Sequence, residues 1–166
     1  KEHHAIITLP TGAGKSFLAE LAIVDAIKEG WILYLAPTNA LCAQIKNDLS
    51  NSLITVQNSE VDLFLGGIEY MPDMADLKST QSYLAVMTPE KASLLLKLYP
   101  NKEKNCALII LDESHVLGEA SRGVISEFVL SSMLSASPNL HVIFMSALVG
   151  NPEHLANWLT TKTGKT

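Results

Sequence analysis

The sequence predicts an α/β domain in which a mostly parallel sheet carries helices on both faces. Apolar runs of strand length alternate along the chain with longer amphipathic stretches, and several of the runs are apolar at every position. A strand that is apolar throughout is buried on both faces, and intervening helices imply parallel crossovers. The 166 residues, 48% of them hydrophobic, are enough for one domain with its own core.

The individual elements follow from this alternation. The strand-like runs occupy residues 5–9, 31–36, 61–65, 83–87, 106–111 and 141–145. The helix-like stretches occupy residues 16–29, 38–49, 89–99, 121–135 and 152–160. Gly30 ends the first helix, which is expected to present one apolar face formed by Phe17, Leu18, Leu21 and Val24. The polar residues 66–82 predict a loop or a frayed helix.

The turns that follow the strands are expected to meet at one edge of the sheet. Polar or glycine-rich turns follow the strands at Leu9, Ala36, Met87, Leu111 and Met145. In parallel sheets, ligands bind beyond the carboxyl ends of the strands. Functional residues are therefore sought in these turns.

Composition limits the classes of function. No apolar stretch reaches the roughly 18–20 residues that cross a bilayer, and the short apolar run near the start is not a secretory signal. We therefore expect an intracellular protein, cytoplasmic or nuclear, with Cys42 and Cys106 as buried free thiols. The net charge of −5 argues against a large basic nucleic-acid platform but does not exclude a narrow groove that binds a nucleic-acid strand by its backbone. The chain lacks an initiator Met, and we expect it to be a fragment of a longer one.

The strongest motif is LPTGAGKS, residues 9–16, which lies between a strand and a helix. Gly12 and Gly14 allow the backbone to turn its N–H groups inward, and the following helix adds its dipole. Lys15 can reach the β- and γ-phosphates of a nucleotide, and the Ser16 hydroxyl can bind Mg²⁺. The usual pattern has Gly where Leu9 stands. We expect the phosphates of ATP, with Mg²⁺, to be bound by Pro10, Thr11, Gly12, Ala13, Gly14, Lys15 and Ser16.

A second motif is LIILDESH, residues 108–115, in which a buried strand delivers two acids at its carboxyl end. Asp112 is the expected partner of Mg²⁺, and Glu113 can orient and deprotonate an attacking water. With Lys15, these two acids form the predicted catalytic set. A charged strand exit that simply turns into solvent is the alternative.

The two motifs together resemble motifs I and II of superfamily 2 helicases of the DEAD/DEAH-box type. The resemblance covers nearly the whole chain, because further segments follow in the family's order. APTNALCAQ, residues 36–44, looks like motif Ia, and TPEK, residues 88–91, looks like motif Ib. Gly66 and Gly67 resemble the family's glycine doublet, and Ser146 opens SAL in the place of motif III. The resemblance implies a RecA-like P-loop NTPase domain, the first of two in the motor.

Two longer segments indicate a subgroup. FMSALVGNPEHLANWL and DESHVLGEASRG resemble the superkiller-like group of DExH helicases. In that group motif III continues into Gly-Asn and a later Ala-x-Trp-Leu, which here are Gly150, Asn151, Ala156 and Trp158 with Leu159. An Arg-Gly pair after motif II matches Arg122 and Gly123.

The resemblance implies that motifs Ia and Ib bind the sugar–phosphate backbone of one nucleic-acid strand. The implied contact residues are Pro37, Thr38, Asn39, Gly66, Gly67, Thr88 and Pro89. Thr88 is a good helix N-cap and Pro89 a good first helical residue, so free N–H groups would form an anion site there. A plain helix cap remains the alternative, because residues 151–153 have the same capping chemistry.

The resemblance also implies how ATP use and strand movement are coupled. His115 would connect the ATP site to a second RecA-like domain, which would supply an arginine finger, and Ser146 would bond the motif II loop. Two residues depart from the family pattern. Asn39 stands at or near a position that is often basic, which weakens the expected grip on the strand, and Leu148 replaces the usual Thr, which removes one hydroxyl from the coupling network.

The predicted function is therefore the ATP-binding half of a helicase or translocase that moves along a DNA or RNA strand. A restriction, defence or remodelling motor that does not unwind has the same residues in this domain. A GTPase is disfavoured because the sequence lacks Asn-Lys-x-Asp, and a kinase does not need the adjacent acids Asp112 and Glu113. A non-enzymatic nucleotide-binding regulator is the remaining alternative, against which Lys15 and Glu113 argue.

Overall fold

A six-stranded parallel sheet forms the centre of the protein. This computed structural model describes residues 4–10, 12–53, 61–63, 83–98, 104–113, 122–137, 139–147 and 152–163. The strands, in chain order, are β1 (Ala5–Thr8), β2 (Trp31–Leu35), β3 (Val61–Leu63), β4 (Leu84–Met87), β5 (Cys106–Leu111) and β6 (His141–Ser146). Their order across the sheet is β1-β6-β5-β2-β4-β3, and every neighbouring pair is parallel.

The helices connect the strands and lie on both faces of the sheet. They are α1 (Lys15–Ala26), α2 (Asn39–Leu53), α3 (Pro89–Leu98), α4 (Arg122–Ala136) and α5 (Pro152–Thr163). No helix among the described residues is both long and apolar enough to cross a membrane.

Two hydrophobic cores form because successive side chains of each strand point to opposite faces. Leu33 of β2 packs in one core with residues of α3, α4 and α5, whereas its neighbours Ile32 and Tyr34 pack in the other with residues of α1 and α2. All five residues of β2 and all six of β5 are buried, as expected for strands covered on both sides. Burying one such aliphatic side chain stabilises the fold by roughly 1.5–3 kcal/mol.

The predicted fold class is confirmed, with small shifts at the ends of elements. Every pair of neighbouring strands is parallel, so the carboxyl ends of the strands lie at one edge, as predicted. Tyr83 precedes β4 rather than belonging to it, and α1 begins at Lys15 and ends at Ala26, where a turn over residues 27–29 replaces the expected last helical turn. The loop predicted for residues 66–82 lies outside the described residues.

The predicted apolar face of α1 is not the face that packs on the sheet. Phe17 is 61% exposed and Leu21 is 52% exposed, whereas Ala19, Ile23 and Ile27 are buried against the sheet. Leu18 is also exposed, and Val24 packs only partly against the core. The segment is apolar almost all round, so periodicity alone cannot identify which stripe faces the sheet.

Both cysteines are buried free thiols, as predicted. Burial raises the pKa of the Cys42 thiol to about 11, and it also raises the pKa of Cys106. A thiol with a raised pKa carries little thiolate and is a poor nucleophile at neutral pH. Neither cysteine is therefore a candidate catalytic group.

Candidate phosphate and metal site

The predicted phosphate loop and acidic pair leave the same edge of the sheet. The loop follows β1 and the acids follow β5, with β6 between these two strands. The N–H of Leu9 donates to the carbonyl of Ser146 at 3.2 Å, which extends the pairing of β1 and β6 beyond the end of β1. The N–H of Asp112 donates to the carbonyl of Leu35 at 2.9 Å, which extends the pairing of β5 and β2. Residues about 100 positions apart in sequence thereby meet at one place.

The loop has the backbone that a phosphate cradle needs. Gly12 and Gly14 have φ of 81° and 94°, the left-handed region that glycine adopts without strain. A Cβ at either glycine would meet no atom within 4 Å, so the space beside the loop is open. The N–H of Ala13 donates to the carbonyl of Pro10 at 3.1 Å and closes a turn. Both glycines thus adjoin open space among the described residues of the loop.

Helix α1 presents its amino end at this loop. Gly14 is the N-cap residue, and it offers no side-chain oxygen to the N–H groups of the first turn. That turn contains no acidic residue, unlike the first turns of α3 and α5, which contain Glu90 and Glu153. The partial positive charge of the helix end is therefore left for an anion.

Lys15 and Glu113 form an ion pair across the site. The Lys15 Nζ lies 3.6 Å from Glu113 Oε1, and both side chains are largely shielded from solvent. Glu113 has φ of 52°, an unusual conformation for a residue with a side chain. Its carboxylate is held beside the ammonium group that the sequence assigns to the phosphates. The predicted catalytic residues of two distant motifs are thus within reach of each other.

Asp112 is held by two hydrogen bonds. The N–H of Glu113 donates to Oδ1 at 2.9 Å, and the hydroxyl of Tyr34 donates to Oδ2 at 3.3 Å. Burial raises the pKa of Asp112 above its ordinary value, although both hydrogen bonds and the charge of Lys15 act to lower it. Each carboxylate oxygen keeps a further lone pair for a metal ion or a water molecule.

The donor set fits Mg²⁺ bound together with a nucleotide. Ser16 is exposed in the first turn of α1, and Asp112 is half-buried at the end of β5. Mg²⁺ prefers oxygen ligands and takes only one or two carboxylates from a protein, the rest being waters and phosphates. This edge of the sheet therefore offers the Ser16 hydroxyl, the Asp112 carboxylate and the glycine loop.

Sequence reasoning missed Tyr34. It had only been counted within the predicted strand 31–36, yet its hydroxyl contacts the predicted metal ligand Asp112. Burial, and after it the charge of Asp112, raise the pKa of Tyr34, so the phenol remains a protonated donor. A phenol within the apolar run WILYL was the available signal, since a buried tyrosine hydroxyl needs a polar partner.

Five of the residues expected to bind nucleic acid lie along the same edge, beyond β2 and β4: Pro37, Thr38, Asn39, Thr88 and Pro89. These two strands are neighbours, and the N–H of Ala36 donates to the carbonyl of Met87 at 3.1 Å, which aligns their exits. Pro37 is half-buried, and Thr38 and Asn39 are exposed where α2 begins. The structure therefore places motifs Ia and Ib side by side.

Capping differs between the two helices that start there. The Thr38 Oγ1 accepts the N–H of Leu41 at 3.2 Å, so this hydroxyl already caps α2. Thr88 is buried, as is Pro89, and the carbonyl of Thr88 accepts the N–H of Ala92 at 3.0 Å to start α3. The Thr88 hydroxyl is thus less accessible to a ligand than that of Thr38.

Several predicted residues lie outside the described residues. They are Thr11, Gly66, Gly67, His115 and Leu148. Ser146 is described and fully buried at the end of β6, between the phosphate loop and the acidic pair. Its position suits a coupling role, which stays a prediction.

Comparison with known proteins confirms the predicted resemblance. The family model of the DEAD/DEAH box helicases matches residues 1–155. The chain is 31% identical over 172 residues to the ATP-dependent DNA helicase Hel308 of Pyrococcus horikoshii, and 32% identical over 168 residues to the ATP-dependent DNA helicase MER3 of Saccharomyces cerevisiae. These alignments cover 98% and 95% of this chain but only 22% and 14% of those proteins.

A solved structure supports the fold. The Pyrococcus furiosus Hef helicase domain superimposes with a TM-score of 0.72 at 22% identity. The match covers 99% of this chain and 33% of that one. At this identity the likeness supports the architecture alone.

Proposed function

We propose that this chain, which belongs to the DEAD/DEAH box helicase family, is the ATP-binding half of an ATP-dependent nucleic-acid helicase or translocase. The observation that carries the proposal is the approach of Lys15 Nζ to Glu113 Oε1, at 3.6 Å, beside an open glycine loop. The relatives named above are DNA helicases, which supports a DNA strand as the track. The chain spans about a fifth of Hel308, so we further propose a second RecA-like domain as its partner.

Each residue of the site has a proposed role in hydrolysis. The loop from Pro10 to Ser16 binds the phosphates by backbone N–H groups, with Lys15 at the β- and γ-phosphates. Ser16 and Asp112 would hold Mg²⁺, which would neutralise phosphate charge. Glu113 orients the attacking water and accepts its proton.

Lys15 Nζ lies 3.6 Å from Glu113 Oε1. Phosphates bound in the loop would compete with the Glu113 carboxylate for the same ammonium group.

Binding of a single nucleic-acid strand is assigned to the turns that follow β2 and β4. Pro37, Thr38 and Asn39, together with Thr88 and Pro89, surround the amino ends of α2 and α3. Free N–H groups at helix amino ends bind phosphates without reading sequence. Because position 39 is Asn rather than a basic residue, and because the net charge is −5, we expect binding of the nucleic-acid strand to be weak and sensitive to salt. A motor of this kind works where nucleic acid and ATP occur together, in the cytoplasm or the nucleus.

Loss of Lys15 tests the phosphate site. In the full-length protein, Lys15→Ala should weaken Mg-ATP binding about 10- to 100-fold, because a charge-assisted contact is lost. Lys28→Ala is the matched control, since Lys28 is exposed beyond the far end of α1. Calorimetry that shows equal ATP affinity for both variants and wild type would exclude the assignment.

Loss of Glu113 separates binding from chemistry. Glu113→Gln should keep Mg-ATP affinity and reduce turnover about 10²–10⁴-fold, because an amide cannot accept the proton of water. Glu127→Gln, in an exposed position on α4, is the control. Near wild-type hydrolysis by Glu113→Gln would show that another group is the base, and absence of hydrolysis in the wild type would favour a non-enzymatic regulator.

A further inference from the structure

We propose that Tyr34 is a positioning residue that fixes the orientation of the Asp112 carboxylate for metal binding. The observation is the hydrogen bond of 3.3 Å from the Tyr34 hydroxyl to Asp112 Oδ2, which joins two strands across 78 positions of sequence. The inference rests on the proposed function, because it assigns Tyr34 a part in holding Mg²⁺ through Asp112. Tyr34 touches neither nucleotide nor metal in this scheme, so its role is indirect.

The register of the sheet places the Tyr34 side chain on the same face of the sheet as the Asp112 carboxylate. Tyr34 of β2 is paired with Ile110 of β5, and both side chains lie in the core beneath α1 and α2. Side chains two positions apart on a strand point to the same face, so Asp112 continues the row of Ile110. The long phenol ring spans that step and brings its hydroxyl to the carboxylate.

Asp112 needs such a contact because it stands where regular pairing ends. Its own N–H is the last in the β5–β2 ladder, and the next residue, Glu113, turns into the left-handed region. The N–H of Glu113 binds Oδ1 and fixes one oxygen only. The Tyr34 hydroxyl, as a second donor, binds Oδ2 and restricts rotation of the carboxylate group. The free lone pairs of Asp112 then keep a fixed orientation. A metal ligand that is held before binding loses less conformational entropy when the ion arrives.

The choice of tyrosine supports a role beyond packing. Tyr34 is 3% exposed and lies in the run WILYL, where its neighbours are aliphatic or aromatic. Phenylalanine would fill the same space without placing a hydroxyl in an apolar core, where a polar group costs free energy unless it is bonded. The bond to Asp112 is what this hydroxyl contributes at the site.

The test compares Tyr34→Phe with Tyr83→Phe in the full-length protein. Both substitutions remove one hydroxyl from a buried tyrosine and keep the ring. Tyr83 lies in the opposite core, where it stacks on Trp31 with ring centroids 5.3 Å apart. The metal is Mn²⁺, titrated in the presence of a non-hydrolysable ATP analogue, and free Mn²⁺ is followed by electron paramagnetic resonance. Affinity for the analogue in the presence of a metal chelator and the thermal midpoint are measured on the same samples.

We expect Tyr34→Phe to raise the Mn²⁺ concentration at half-saturation about three- to tenfold, which corresponds to the loss of one net hydrogen bond. Its metal-free affinity for the analogue should stay at the wild-type value, and Tyr83→Phe should bind Mn²⁺ as the wild type does. A purely structural hydroxyl would change the thermal midpoint without changing metal affinity, and that result overturns the inference. Equal metal affinity in Tyr34→Phe and wild type also overturns it, while leaving the Mg-ATP site intact. Only a wild type that shows no nucleotide-dependent metal binding removes the proposed function as well.

Discussion

The backbone of Glu113 lies in the left-handed region, with φ of 52°. A residue with a Cβ pays about 1–2 kcal/mol for this conformation, which persists only where the surroundings impose it. Two hydrogen bonds fix the turn here. The N–H of Asp112 donates to the carbonyl of Leu35, and the N–H of Glu113 donates to Asp112 Oδ1. The motif LIILDESH could be predicted from the sequence, because it is defined by residue types and their spacing. The conformation of Glu113 and the partner of Tyr34 could not, because both depend on the neighbouring strand.

Replacement of Glu113 by glycine and by alanine isolates this backbone strain. Both variants remove the carboxylate and its ion pair with Lys15, so they differ only in the Cβ. We expect Glu113→Gly to unfold at the same or a higher denaturant concentration than Glu113→Ala. At exposed Glu127 within α4, glycine should be less stable than alanine by about 0.5–1 kcal/mol. If the glycine variant is the less stable one at both positions, Glu113 is not strained.

Helix α1 shows what sequence periodicity can and cannot predict at the level of an element. Its existence and approximate ends were predicted from a glycine loop before it and Gly30 after it. The apolar face was assigned to Phe17, Leu18, Leu21 and Val24, but α1 packs through Ala19 and Ile23, and Ile27 is buried just beyond its end. Phe17 and Leu21 are left outward. Propensity and spacing therefore predict the element, whereas contacts with the sheet decide its rotation, because a segment that is apolar on several sides offers more than one stripe.

A pair of alanine substitutions tests the observed rotation of α1. Ile23→Ala should lower the free energy of unfolding by about 2–4 kcal/mol, because it leaves a cavity in a fully buried position. Leu21→Ala, two positions away and about half exposed, should change it by no more than about 0.5 kcal/mol. Denaturant titration of both variants measures the difference. Equal losses, or a larger loss for Leu21→Ala, would show that the outward stripe is covered.

At the scale of the molecule, strand order decides which motifs meet. That ligand-binding turns share one edge was predicted from the parallel alternation. The sequence of neighbours β1-β6-β5-β2-β4-β3 was not, because hydrophobic pattern does not encode which strands pair across long crossovers. This order puts the nucleotide residues toward one end of the edge and the expected strand-binding residues toward the other. The acidic pair after β5 adjoins the turn after β2 that is expected to bind nucleic acid, whereas the phosphate loop after β1 lies farther along the edge.

We expect the 166-residue chain by itself to behave as a nearly inactive half-motor. These residues include the phosphate loop and the acidic pair, whereas the proposed mechanism also needs an arginine finger from a second RecA-like domain, which in related hydrolases is worth about 10³–10⁵ in rate. Mg-ATP binding should be weak, and binding to a single strand should fall steeply between low and moderate salt. A single-strand titration at two salt concentrations, run beside a steady-state ATPase assay, measures both. Robust nucleic-acid-stimulated turnover from this chain alone would contradict a two-domain mechanism.

The position of β1 at the edge of the sheet has a consequence for how the protein is made. Its described neighbour is β6, which lies near the opposite end of the sequence. During synthesis on the ribosome, β1 emerges long before its pairing partner, and the phosphate loop attached to it cannot be anchored until residues 141–146 have left the exit tunnel. The nascent chain therefore carries the strand AIIT without its pairing partner until β6 has been made. A chain stalled before β6 can pair its inner strands, but its phosphate loop lacks the hydrogen bond from the Leu9 N–H to the Ser146 carbonyl.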